Sequence, residues 1–145
     1  MKTILILEDN EERIADFRKA VGQLGNGYHF KIWRDAHSMR AECEGFFETA
    51  ALISLDHDLY KDLPSDPDPG TGRMIADLLS KRNPVCPVIV HSTNPDASWG
   101  MFNVLTSANW KVELVHHLNQ PAWIEEQWLP VASKLILSEK HTSDR

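Results

Sequence analysis

Four clusters of acids, imidazoles and hydroxyls each follow directly on a short aliphatic run. Glu8-Asp9 follows residues 4–7, Asp56-His57-Asp58 follows residues 51–55, His91-Ser92-Thr93-Asn94 follows residues 85–90, and His116-His117 follows residues 112–115. Four of the seven histidines fall in these clusters, a concentration that packing does not explain. Brought together without a partner, Glu8, Asp9 and Asp56 would repel one another, and at least one pKa would rise. A divalent cation relieves that repulsion. All-oxygen ligands favour Mg²⁺, and Mn²⁺ is accommodated where an imidazole joins. Glu8, Asp9, Asp56 and Asp58 are therefore the candidate metal ligands; the alternative is that Asp9 or Asn10 caps a helix and Asp56 a turn. His57 and Asp58 read as a general acid/base with its orienting carboxylate, as metal ligands, or as groups that bond a long loop. As sequence neighbours their side chains are expected to diverge, with at most one facing the site. Asp56, His57 and His91 are the candidate catalytic residues. Ser92 or Thr93 could offer a hydroxyl to a phosphate oxygen and Asn94 its amide, or these residues could form a turn or cap before Pro95. His116 and His117 are expected to face solvent.

Residues this far apart in sequence act together only if the runs before them are strands of one sheet, ending on one edge. Lys2–Leu7 contains the continuous apolar run Ile4-Leu5-Ile6-Leu7, and residues 51–55 read as another buried apolar strand, as strands covered on both faces do. Tyr28–Trp33 alternates apolar and polar residues, residues 85–90 form a fourth strand despite Pro87, and Val112–Val115 forms a fifth. Between them, Asn10 caps a helix carrying Ile14, Phe17, Val21 and Leu24, which Gly25-Asn26-Gly27 stops. Asp35 caps a second helix running to Phe47, interrupted by Gly45. Residues 61–72 are rich in Asp, Pro and Gly and read as a long loop able to cover the site. Helices follow with Met74, Ile75, Leu78 and Leu79 on one face, over residues 96–108, and over residues 122–138. Residues 139–145 read as a disordered tail, leaving residues 1–138 as one domain. The five tryptophans are expected in or at the edge of the core, with Trp99 placed to stack on a base or ribose. Alternating strands and helices joined by short links imply a doubly wound parallel α/β sheet with helices on both faces, and ligands in such sheets bind outside the strands' carboxyl ends.

Composition narrows the function. Over 145 residues, 42% hydrophobic and 25% charged residues exclude intrinsic disorder. A net charge of −6 argues against a duplex-DNA or anionic-membrane surface, and no apolar run approaches the length of a membrane span. The two cysteines, Cys43 and Cys86, argue against a disulfide framework and a thiolate zinc site. With no secretory pattern at the amino terminus, the expectation is a soluble cytoplasmic domain.

The acidic pair after the first strand, Asp56 after the third and Ser92 after the fourth resemble the receiver domains of two-component signalling over roughly residues 2–137. The resemblance implies strand order 2-1-3-4-5 and a cation held beside a phosphoacceptor aspartate. Receivers carry a lysine at the end of strand five, where this chain reads Val115-His116-His117; Lys111 lies at the strand's beginning. That departure argues against ordinary phosphorylation-driven switching. Ser54-Leu55-Asp56-His57-Asp58-Leu59, Thr71-Gly72 and His91-Ser92-Thr93-Asn94-Pro95 together resemble the cyclic-phosphate processing receiver domains. This narrower resemblance marks Asp9, Asp56, His57, Asp58, His91, Ser92 and Asn94, and implies a metal-dependent phosphoesterase acting on a cyclic or terminal phosphate of RNA or a nucleotide. The expected partner is then a phosphorylated small molecule or an RNA end. The alternatives are a phosphoacceptor signalling module and a non-catalytic domain that binds a phosphorylated ligand.

Overall fold

The computed structural model describes residues 1–117 and 120–143, with side chains as far as residue 139. In chain order the elements are β1 (Lys2–Leu7), α1 (Glu11–Gln23), β2 (Tyr28–Trp33), α2 (Ala36–Glu42), β3 (Ala50–Leu55), α3 (Gly72–Ser80), β4 (Val88–His91), α4 (Pro95–Ser107), β5 (Val112–Val115) and α5 (Leu129–Ser143). The strands form one five-stranded sheet in the order β2-β1-β3-β4-β5, and every neighbouring pair is parallel. The chain winds one way from β1 to β2 and the other way from β1 to β3. The reversal opens a crevice beyond the carboxyl ends of β1 and β3, where ligands of such sheets bind. Glu8 and Asp56 stand on either side of it, each tied to the strand beside it: Glu8 N–H donates to the Trp33 carbonyl at 3.0 Å and Asp56 N–H to that of Leu7 at 3.1 Å.

Two apolar layers flank the sheet. Leu5, Leu7, Ile53, Leu55, Val88 and Val90 pack under α2, α3 and α4. Ile4, Ile6, Leu52 and Ile89 pack under α1 and α5, against Phe17, Trp123 and Trp128. Side chains alternate faces along a strand, so the second series runs on from Ile6 to Glu8, from Leu52 through Ser54 to Asp56, and from Ile89 to His91. Four polar side chains thereby enter the α1/α5 layer, and all four are buried.

Helix starts follow their caps. Asn10, Asp35 and Asn94 accept from the N–H groups of Arg13, Ser38 and Ala97 at 3.0, 2.8 and 3.1 Å. Three elements differ from the sequence expectation by more than one residue. The second helix ends at Glu42, and Cys43–Phe46, which contains Gly45, tightens into a 3-10 turn. β4 begins at Val88 rather than at residue 85, because Pro87 has no N–H to give the ladder and contributes only its carbonyl, to Ile53 N–H at 3.1 Å. The last helix starts with a π-helical turn over Ile124–Trp128 and continues to Ser143, so residues 139–143 of the expected tail are helical; residues 144–145 lie outside the described residues. The wide π turn brings Trp123 and Trp128, five positions apart, onto the same inward side, where both meet Phe17 edge-on. Among the described residues no helix is long and apolar enough to cross a membrane.

Candidate metal and phosphate site

Glu8 is fully buried. Its Oε2 accepts from the N–H groups of Asp9 and Asn10 at 3.1 and 3.2 Å and lies 3.8 Å from Arg13 Nη1. Its Oε1 faces His91 Nε2 at 3.3 Å, outside hydrogen-bond alignment, and both atoms are left without a hydrogen-bond partner. Burial opposes the charge on Glu8, yet the approach of His91, the Asn10 N–H and Arg13 together hold its pKa below the usual carboxylate range. Asp56 goes the other way: burial first, then the charge of Glu8, push its pKa up to about 8, against the pull of Arg13. Its Oδ1 accepts from His57 N–H at 2.8 Å. Glu8, Asp56 and His91 each offer a ligand atom, and these atoms lie within 4.8 Å of one another.

His91 is clamped from behind. Its Nδ1 lies 2.7 Å from Ser54 Oγ, which accepts from the Trp128 indole N–H at 2.9 Å, and Phe17 packs against the ring at 5.0 Å. The imidazole is 0% exposed, so it is not open to a substrate as expected of a proton-transfer group.

Of the expected ligand set Glu8, Asp9, Asp56 and Asp58, Glu8 and Asp56 belong to this cluster, while Asp9 and Asp58 lie outside it. Asp9 is half-buried, accepts from Tyr60 N–H at 2.6 Å and has its pKa raised, first by burial. Asp58 pairs with His57, Oδ1 to Nδ1 at 2.7 Å, and its Oδ2 meets Asn94 Nδ2 at 3.5 Å. His57 and Asp58 were expected to diverge. They meet because the chain leaves β3 at Leu55 and turns, with Asp58 bridging antiparallel to Thr71. That turn packs against the start of α3, where Gly72 N–H donates to the His57 carbonyl at 3.0 Å. A Cβ on Gly72 would land on the Asp56 carbonyl, which is why glycine stands there.

Ser92 is buried and its Oγ accepts from Asn94 N–H at 3.1 Å; Thr93 is exposed; Asn94 spends its Oδ1 on capping α4. Asn94 thus positions Asp58 and the helix rather than offering a free amide. His116 is exposed as expected, but His117 is buried, stacked on Trp123 at 3.9 Å, and its pKa is pushed down to about 4 by burial and by the charges of Arg13 and His91. Trp99 is 52% exposed against Phe102, while the other four tryptophans are buried. Beside Asp9 a cavity of about 580 Å³ opens under the long loop, lined by Arg34, His37, Tyr60 and Lys61 among others. Ser54, Trp128 and Arg13 were not singled out from the sequence as site residues. Ser54, a hydroxyl inside an aliphatic run, was the one available signal; Arg13 and Trp128 read as ordinary helix residues.

The model of the cyclic-phosphate processing receiver domain family matches residues 4–107. The chain belongs to this family. A search of curated proteins returns no match. Among solved structures, this receiver domain is similar to a response regulator receiver domain from Rhodospirillum rubrum, at 18% identity and TM-score 0.61 over 95% of this chain and 93% of that one. A CheY-like receiver domain from Methanospirillum hungatei matches at 18% identity and TM-score 0.59, over 97% of this chain and 98% of that one. The Mn²⁺-bound form of the response regulator Rcp1 matches at 19% identity and TM-score 0.60, over 89% of this chain and 95% of that one. These likenesses establish the receiver fold. Receivers hold a divalent cation at their acidic cluster. The orphaned Glu8 Oε1 and His91 Nε2, gathered with the Asp56 carboxyl, fit such an ion.

Proposed function

We propose that this receiver domain is a cytoplasmic metal-dependent phosphoesterase acting on a cyclic or terminal phosphate of a nucleotide or RNA end. The observation that carries the reading is the His57–Asp58 pair beside Asp56. A carboxylate only accepts, so the Asp58 oxygen 2.7 Å from Nδ1 makes that nitrogen the donor and leaves the lone pair on Nε2. His57 is partly exposed while His91 is sealed, so His57 is the imidazole able to meet substrate. It takes a proton from the attacking water and returns it to the departing sugar oxygen, as one P–O bond forms and the other breaks. Asn94 holds Asp58 from the far side. Pro95 has no N–H and Ala97 N–H is taken by Asn94, so the Ser92 hydroxyl, whose Oγ accepts from Asn94 N–H, is the donor this reading assigns to the phosphate. Glu8 and Asp56 would hold the Mg²⁺ or Mn²⁺, which when bound polarises a phosphoryl oxygen and offsets its charge.

The test is turnover of 2′,3′-cyclic nucleotides by purified protein with Mg²⁺ or Mn²⁺. Asp58→Asn and His57→Gln are expected to lower kcat by about 10²–10⁴-fold while binding of the ion is retained. Absence of turnover with either ion would refute the reading. One observation favours a second reading, the phosphoacceptor module: Asp56 occupies the acceptor position of the receiver fold, beside Glu8. A stable acyl phosphate on Asp56 from a small phosphodonor, without multiple turnover of any phosphoester, would establish that instead.

A further inference from the structure

His91 changes the kind of ion the acidic pair accepts. Glu8 Oε1 and His91 Nε2 are completely buried, 3.3 Å apart and without hydrogen bonds, and Asp56 closes the group. Two buried polar atoms facing each other unsatisfied are rare in a folded chain unless something binds between them. The opposite side of the imidazole is compatible with that in one of its two tautomers. An indole N–H can only donate, so Ser54 Oγ accepts from Trp128 and keeps a second lone pair 2.7 Å from His91 Nδ1. When that lone pair accepts Nδ1–H, the Nε2 lone pair is free and points at the two carboxyl groups. A ligand imidazole whose other N–H is fixed by a buried partner is the usual support of a metal histidine.

We infer that Glu8, Asp56 and His91 form a mixed oxygen–nitrogen site, with His91 binding through Nε2, and that it selects a first-row transition ion such as Mn²⁺ or Zn²⁺ over Mg²⁺. Two properties point the same way. Imidazole nitrogen suits transition ions, whereas Mg²⁺ is held through oxygen. Mg²⁺ also sheds water reluctantly, and residues 0%, 5% and 0% exposed leave little room for its hydration shell. The inference rests on the cation reading above and does not depend on the esterase.

The experiment titrates the untagged protein, stripped with chelator, with Mn²⁺, Zn²⁺ and Mg²⁺ by calorimetry, and records pulsed electron paramagnetic resonance of the Mn²⁺ form. Expected are at least 10-fold tighter binding of Mn²⁺ and Zn²⁺ than of Mg²⁺ and a directly bonded ¹⁴N coupling to Mn²⁺. The coupling should persist in His57→Gln and vanish in His91→Gln, with Mn²⁺ affinity falling at least 10-fold and Mg²⁺ affinity little changed. The spectrum of the unaltered protein stands even if His91→Gln does not fold. Bound Mn²⁺ without nitrogen coupling, coupling lost only in His57→Gln, or Mg²⁺ bound as tightly as Mn²⁺ overturns the inference while leaving the esterase open. Bound, nitrogen-coupled Mn²⁺ without phosphoester turnover upholds it and sinks the esterase.

Discussion

Replacing Asp56 by asparagine is expected to make the ion-free protein more stable, the reverse of the usual effect of altering a buried, hydrogen-bonded side chain. Asp56 is 5% exposed, and burial beside Glu8 raises its pKa from 3.8 to about 8. The folded chain therefore keeps a proton that the unfolded chain releases. Between about pH 4 and pH 8 the folded state binds more protons, so stability is greatest below this window and falls as pH rises through it. pH 7 lies roughly three units above the unfolded value and still below the folded one, and at about 1.4 kcal/mol per unit the ceiling is about 4 kcal/mol. Asparagine keeps the oxygen that accepts from His57 N–H at 2.8 Å and has no charge to form. We expect Asp56→Asn to gain about 2–4 kcal/mol at pH 7 in chelator, the lower figure allowing for two amide N–H groups placed in a tight site. The assay is urea unfolding followed by tryptophan fluorescence at pH 6.5, 7 and 8. His117 stays neutral in the folded state over that range and titrates at 6.5 only when unfolded, an opposing contribution of about 0.4 kcal/mol at the lowest pH that leaves Asp56 as the main variable. The unaltered protein should lose about 1–2 kcal/mol from pH 6.5 to pH 8, and Asp56→Asn should stay flat. Adding Mn²⁺ narrows the gap: at 100 times its Kd the ion stabilises the unaltered protein by about 3 kcal/mol and the variant by much less. A variant that unfolds at lower urea than the unaltered protein in chelator at pH 8 would refute the reasoning.

Ser54→Ala leaves the Trp128 N–H and His91 Nδ1 without their shared partner inside the core, and should lower stability by about 2–4 kcal/mol in urea titrations. Gly72→Ala drives a methyl group into the Asp56 carbonyl. A loss of about 1–3 kcal/mol, with weaker Mn²⁺ binding by calorimetry, is expected because the displaced backbone carries Asp56. His117 should stay neutral down to about pH 4 when followed by imidazole proton resonances, since burial against Trp123 and the nearby Arg13 charge oppose protonation. Because its unfolded value is 6.5, the stability it contributes is present above that pH and is lost as pH falls from 6.5 through 4.

Much of this molecule is legible along the chain. Lys2–Leu7, Tyr28–Trp33 and Val112–Val115 form strands with the bounds their apolar patterns indicate, and Asn10, Asp35 and Asn94 cap the helices that follow. Gly45, Pro87 and the π turn at Ile124–Trp128 moved boundaries, because a local break in hydrogen bonding shifts an element's end without altering the apolar periodicity that announces it. The gathering of Glu8, Asp56 and His91 was indicated by their places after three strands. Their partners were not, because Trp128 reaches Ser54 across 74 residues of sequence and no spacing rule records such a contact.

The sequence by itself determined that acids, imidazoles and hydroxyls would collect on one edge of a doubly wound sheet, since parallel strands joined by crossover helices must all end on the same side. Only the tertiary structure decided which imidazole is buried and which reaches the surface. β4 includes His91, so that side chain obeys the strand's alternation and turns into the α1/α5 layer with Glu8 and Asp56. β3 ends at Leu55, so His57 lies on a bend, escapes the alternation and swings back to Asp58 at the surface. One residue of hydrogen-bonded ladder, set by the register of β4 on β5, where His91 pairs with Val115, separates a buried imidazole from a partly exposed one.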